Sequence, residues 1–373
     1  VIDPIAAGQG PSSWFQRYLL PGLAFKAVVI GGGYATGREL AEFFLPSGPR
    51  GGLLAMLLAM GIWSTVCAVT FCLARLTSSW DYRTFFKNLL GPFWVLFEAA
   101  YLLFIILILA VFGAAAGAIG AAVLNWPPLL GTSILIASIS LVAAYGSASV
   151  ERLFKWVSIV LYGVYAMFVA LSLFAFGDRI LINFAAVTPM HGWAAGGLTY
   201  ASYNIVGAVV ILPVLRHLRS NKDALIAGAL AGPLAMIPAL LFFICMIAYF
   251  PQIGAEPLPS DFLLRRLNFP AFHFLFQLMI FLALLESGTG CVHAINERIA
   301  EAHAARTGRT ISKAARLLIT GVLLVGSIFL AARFGLVTLI ARGYRGLAYL
   351  FIGVFVLPVM TLGLRQLWKA RPA

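Results

Sequence analysis

Four carboxylates sit inside apolar runs of this chain: Glu39, Glu42, Glu98 and Glu286. The whole sequence holds only 13 acidic residues, so spending four of them in such places asks for an explanation. An ionised side chain deep in a bilayer costs at least about 2.5 kcal/mol on the insertion scale, so each should face a cavity or a partner. The chemistry on offer is cation binding, proton transfer or ion pairing between helices. Lys26 and Arg38, in the same run as Glu39 and Glu42, are the cations within reach. Arg38 and Glu42 are one helical turn apart and read as a local pair at a mouth, or as a substrate contact. Glu98 and Lys26 fit a plain ion pair or a latch on an inner gate. Glu286, Gly290, His293 and Glu297 recur at helical spacing, so a mid-membrane carboxylate followed by an imidazole would make a proton exit. The blander reading of His293 is an interfacial side chain satisfied by hydrogen bonds.

The elements that position these groups start with Ile30-Gly31-Gly32-Gly33-Tyr34-Ala35-Thr36-Gly37. Each glycine costs a helix roughly 1 kcal/mol against alanine, so the run predicts a break in the first helix. Broken backbone survives at membrane depth only where it is buried in protein or lines a wet cavity. Free N–H groups at such a break suit a carboxylate, and free carbonyls suit a cation. Hydroxyls and an amide from Tyr34, Thr36, Tyr203 and Asn204 flank this break and a second one.

Composition fixes the class. Hydrophobic residues make up 62% of the 373 and charged residues 10%, which describes an integral membrane protein. A crossing helix takes about 20 apolar residues, and the apolar runs predict an all-α protein with ten transmembrane helices in one polytopic domain. They fall near 14–44, 51–74, 90–124, 129–147, 153–177, 197–219, 223–249, 270–303, 313–332 and 346–366. No cleavable leader pattern precedes the first. The net charge of +13 is spread over every loop, which reads as a topology signal and argues against nucleic acid. Its asymmetry places both termini in the cytoplasm of a plasma membrane, with a bacterial inner membrane expected. Cys67, Cys72, Cys245 and Cys291 have no metal-ligand spacing and read as small buried hydrophobes; no metal site and no cofactor is expected.

Short surface helices are predicted over Ser79–Leu89 and Ser260–Leu264, the latter capped by Ser260 or Asp261. Pro233 and Pro238 are expected to kink the seventh helix, and the small residues from Ala114 to Ala118 to pack against the first. Five helices per half would invert the second half relative to the first. The sixth run, carrying Tyr200-Ala201-Ser202-Tyr203-Asn204-Ile205-Val206-Gly207 and then Pro213, matches the broken first in position. Paired interruptions of this kind point to a transporter's midplane site.

Together, Gly31 to Glu39, Tyr203-Asn204, Ala294 to Arg298 and Leu339 to Tyr344 resemble the YkvI-type family of proposed amino acid permeases. That family is similar to the amino acid, polyamine and organocation superfamily with the LeuT-like five-plus-five inverted repeat. The resemblance implies repeats over about 14–177 and 197–366, with helices 1 and 6 discontinuous and holding the substrate. It implies substrate contacts at Gly31, Gly32, Gly33, Tyr34, Ala35, Thr36, Tyr203, Asn204 and Gly207. In sodium symporters of that fold an ion sits between the first break and hydroxyls of helix 8. Here the corresponding run is Ala283-Leu284-Leu285-Glu286-Ser287, with Glu286 where one hydroxyl is expected, a carboxylate that would strengthen a cation site, replace the ion with a titrating proton or hold a substrate amine. Ile30, Ala283, Glu286, Ser287, Glu98 and His293 are the coupling candidates, and Lys26, Arg38 and Glu42 the gating ones.

The function expected is an ion-coupled symporter or antiporter of a small amino acid or amine, working by alternating access with H+ or Na+ as coupling ion. Its partners would be the small solute and the lipid bilayer. Two other transport or binding readings stand beside it: a non-transporting solute sensor of the same fold, and a carrier of a cationic substrate such as a polyamine or metal ion. A membrane enzyme ranks last, since no nucleophile motif, phosphate loop or metal spacing accompanies the acids.

Overall fold

The computed structural model describes residues 13–30, 32–145, 148–307 and 312–370. Within them every regular element is helical. By length and composition six stretches are able to cross a membrane, the longest apolar ones being Tyr82–Leu124 and Leu318–Lys369.

In chain order the helices are α1 (Leu20–Val29), α2 (Arg38–Phe43), α3 (Gly48–Leu76), α4 (Tyr82–Leu90), α5 (Trp94–Leu124), α6 (Pro128–Tyr145), α7 (Ala148–Ala185) and α8 (Trp193–Asn204). They continue with α9 (Gly207–Val210), α10 (Asn221–Ile247), α11 (Pro259–Leu267), α12 (Pro270–Thr307), α13 (Lys313–Thr338) and α14 (Arg345–Phe351). The two elements expected to be interrupted are interrupted. Between α1 and α2 lies one helical turn, Gly32–Ala35, and a left-handed Gly37 at φ 78°. Between α8 and α9 the chain tightens into three-residue bonds, Ala208 N–H to the Ile205 carbonyl at 2.9 Å and Val209 N–H to that of Val206 at 3.1 Å.

The broken helices are held by a long, close helix pair, α3 and α10. Their packing depends on small residues, which let backbones approach. A Cβ at Gly228 would lie 2.3 Å from the Ala68 Cα, and one at Gly232 would lie 2.3 Å from the Met60 carbonyl oxygen. Helix α10 runs unbroken through Pro233 and Pro238, and the Tyr165 hydroxyl donates to the Pro238 carbonyl at 3.0 Å. The α1 stripe of Pro21, Gly22, Phe25 and Val29 is buried, and Gly22 seats against Ala231 and Leu234 of α10.

Three sequence-based expectations are corrected by the packing. The small-residue stripe of α5 serves α6 as its main partner: a Cβ at Gly117 would lie 2.5 Å from the Pro128 carbonyl, and the Thr132 hydroxyl donates to the Gly113 carbonyl at 2.8 Å. Neither Ser260 nor Asp261 caps α11; Pro259 opens it, and Asp261 is committed to His273 at 2.7 Å and Arg265 at 3.0 Å. The loop expected between 332 and 346 is absent. One left-handed residue, Gly335 at φ 69°, turns the chain, after which Leu339–Tyr344 winds as π-helix straight into α14. That draws Tyr344 from a surface loop into the core. Cys67, Cys72 and Cys245 are buried and Cys291 half-buried, all as free thiols.

Candidate functional site

The two interrupted helices meet on either side of their breaks. A Cβ on Gly207 would stand 3.0 Å from the Phe25 ring, so α1 packs its side chains directly onto the bare backbone of α9. Beyond the breaks, α2 and α8 meet through one polar contact: the Tyr203 hydroxyl donates to Glu39 Oε2 at 2.6 Å. Around it stand Phe43, Tyr200, Tyr203 and Tyr344, with Tyr203 and Tyr344 centroids 4.4 Å apart. Tyr200 packs on Phe44 at 4.7 Å and Trp63 at 5.5 Å. Trp63 also reaches the second break, its indole N–H donating to the Ala201 carbonyl at 3.0 Å.

Of the residues expected to hold substrate, Gly31 lies outside the described residues, and Gly32 and Gly33 begin the isolated turn. Tyr34, Ala35 and Thr36 are buried at the break. The Thr36 carbonyl accepts the Ser260 N–H at 3.0 Å, which ties the break to α11. Gly37 must be glycine on two counts, since a Cβ there would meet the Phe242 ring at 2.8 Å besides the left-handed φ. Asn204 is buried and donates to the Tyr200 carbonyl of its own helix at 3.2 Å. Ile30, Tyr34 and Ala35 also line a cavity of about 450 Å³ with Lys26, Tyr162 and Pro238.

At the end beyond α2, Arg38 is the organiser. It is buried and donates to the carbonyls of Gly254 at 2.8 Å and Glu256 at 2.9 Å, and to Glu42 at 2.9 Å. Arg345 approaches the other Glu42 oxygen at 3.8 Å. The expected Arg38–Glu42 pair is therefore present, within a set of contacts joining α2, the 252–256 turn and Arg345 of α14.

At the opposite end the expected partnership of Glu98 with Lys26 is replaced. Glu98 lies 3.5 Å from Arg83 and 4.0 Å from Arg298, and Arg298 is sandwiched between Tyr82 at 4.1 Å and Tyr101 at 3.8 Å. Lys26 instead rests on the Tyr162 ring at 4.1 Å. The Arg298 cluster and, from the segment that follows the second break, Val210 and Pro213 line one cavity of about 200 Å³. Sequence reasoning missed this because α4 folds back: Tyr82 and Arg83 are distant from Arg298 in the chain.

The coupling candidates of α12 divide by face. Leu284, Gly288, Val292 and Ile295 form its buried stripe, with Gly288 against Ile139. Ala283, Glu286 and Ser287 are half-buried, within a helix that packs against the Gly32–Ala35 turn, and Glu286 is in electrostatic reach of Tyr162. Gly290 and His293, on the face expected to lead a proton away, are exposed, and the side chain of Glu297 lies outside what is described. Glu39 and Tyr344 are the residues left out of the expected site; the first was hidden by its position beyond the break, the second by the expected loop. Among the described residues no three His, Cys, Asp or Glu side chains gather as metal ligands would.

Comparison with known proteins agrees with this architecture. The chain matches no protein-family model. It is 24% identical over 285 residues to the uncharacterized membrane protein YkvI of Bacillus subtilis (strain 168), covering 74% of this chain and 80% of that one. Among solved structures it is similar to MhsT in complex with L-phenylalanine, with a TM-score of 0.57 at 17% identity, covering 94% of this chain and 88% of that one. A manganese transporter variant of Eremococcus coleocola gives a TM-score of 0.55 at 16% identity, over 94% and 80% of the two chains. At such identities the likeness to these structures is one of fold.

Proposed function

Starting from a membrane protein homologous to YkvI whose fold is that of LeuT-like transporters rather than of an enzyme, we propose that this chain is a secondary active transporter of a small amino acid or related amine. Ten crossings in two inverted five-helix halves, 14–177 and 197–366, would provide the framework. The observation that carries the reading is the meeting of two interrupted helices, α1–α2 and α8–α9, at Gly207–Phe25 and Glu39–Tyr203. Interrupted helices facing each other at depth are how such folds present backbone groups to a polar solute.

In this reading the solute's carboxylate takes the N–H groups of Tyr34, Ala35 and Thr36, while its amine takes carbonyls of the second break and Asn204. In this reading the bonds of Arg38 to Gly254, Glu256 and Glu42 close its end of the passage. The cavity beside Lys26 reaches Tyr34 and Ala35 from the other end. A coupling proton or sodium would, on this reading, bridge α12 to the first break through Ile30, Ala283, Glu286 and Ser287.

The test is a thermal-shift screen of amino acids and amines, with and without sodium and across pH, followed by uptake of each labelled binder into proteoliposomes. A ligand of the folded state raises its apparent stability. Uphill accumulation driven by a proton or sodium gradient is the expected result. A binder that never crosses would make the chain a sensor.

A further inference from the structure

Glu39 is a carboxylate for which the transport reading has no task. It is 4% exposed, and among the described residues its partner is the Tyr203 hydroxyl. The titratable groups facing it are neutral phenols: Tyr34, Tyr200, Tyr203 and Tyr344. The charged groups nearby point elsewhere. Arg38 is spent on Gly254, Glu256 and Glu42, and Arg345 approaches Glu42. The Tyr200 hydroxyl is buried too, with no hydrogen-bond partner.

A full negative charge held in so dry a place by one phenol is heavily penalised, and only a cation relieves it. With ring centroids 4.4 Å apart for Tyr203 and Tyr344 and 5.7 Å for Tyr200 and Tyr203, the arrangement is packed. The cation that fits is a proton. We propose that Glu39 takes up a proton when the Arg38 end of the passage closes and returns it to water when that end opens. Oε2 accepts from Tyr203, so the proton resides on Oε1. Closure consumes a proton; acid therefore favours the closed form and alkali the open one. The inference deepens the transporter reading and rests on it for its purpose, but its test needs no transported solute.

The purified full chain in lipid nanodiscs is examined by infrared spectroscopy at neutral pH. The expected result is a carbonyl stretch from a buried protonated carboxyl group, moved by deuteration, present in the wild type and lost in Glu39→Gln. It should survive in Glu98→Gln and Glu286→Gln. Spin labels at Gln252 and Tyr349 then report the Arg38 end: their separation should lengthen with rising pH in the wild type and stay short in Glu39→Gln. Absence of the band from the wild type, its persistence in Glu39→Gln, or an unaltered pH response of the spacing in that variant would overturn the proposal. Should Glu39→Gln not fold, Tyr203→Phe decides: it removes a bond that Glu39 makes in the closed form, so opening must shift to lower pH, and an unshifted midpoint sinks the idea. Failed uptake in the liposome assay with this pattern intact would overturn transport alone.

Discussion

The hydroxyl of Tyr203 donates to Glu39 across 2.6 Å, and it is the polar bond that joins the halves of the two broken helices beyond their breaks. Both residues are buried, so neither finds water as a substitute partner. Tyr203→Phe should cost about 1 to 3 kcal/mol of stability, since a buried acceptor is left without its donor. Thermal unfolding in detergent, compared with Tyr349→Phe on the exposed surface, measures it; equal melting of the two variants would count against the bond.

Gly37 is the joint between the isolated turn and α2. Gly37→Ala combines a left-handed φ with a Cβ 2.8 Å from the Phe242 ring. The backbone alone is expected to cost about 1 to 2 kcal/mol, and relocation of Phe242 adds to it. Loss of uptake together with a lowered melting temperature is the expected pair; Gly61→Ala, where nothing lies within 4 Å, should change neither.

Arg38→Ala removes three bonds at once, leaving the Gly254 and Glu256 carbonyls without this donor. Amide exchange over residues 252–260 should accelerate, because that segment owes its attachment to α2 largely to this guanidinium. Arg38→Lys should rescue only in part, since an ammonium lacks the planar fork that spans both carbonyls and Glu42.

At the other end, Arg298 lies between two tyrosine rings with Glu98 at 4.0 Å. Arg298→Ala should expose the half-buried Cys291 and raise its maleimide labelling rate several-fold, while the three buried thiols stay silent. Glu98→Gln should act more weakly, because an ion pair at this distance is worth about 1 kcal/mol or less. An unchanged labelling rate in Arg298→Ala would show that the cluster does not cover Cys291.

Glu286→Gln tests the coupling assignment. If Glu286 must be neutral for the carrier to reset, gradient-driven accumulation should vanish in this variant while solute exchange continues. Retained accumulation would take Glu286 out of the mechanism.

Much of this was legible from residues alone. The glycine run predicted where the first helix breaks, because the cost of glycine and of unpaired backbone at membrane depth are local properties of sequence. The Arg38–Glu42 pair followed from helical spacing. Glu98 illustrates what was not legible: its partners arrive from α4 and from the far end of α12, and no periodicity reports on contacts between distant segments. Tyr344 was missed for another reason. Arg342, Gly343 and Arg345 look like a loop by composition, yet a turn at Gly335 needs one residue, and the remainder is free to wind.

That winding sets how the last helix can move. A π stretch such as Leu339–Tyr344 carries one residue more per turn than the α-helix on either side. Regaining ordinary pitch there would turn Tyr344 and the helix that follows it by roughly 100° relative to α13, and lift the Tyr344 ring off Tyr203. The ring stack beside the carboxylate would thus be undone by a change of coil in the rod that carries Tyr344, as backbone hydrogen bonds exchange carbonyls.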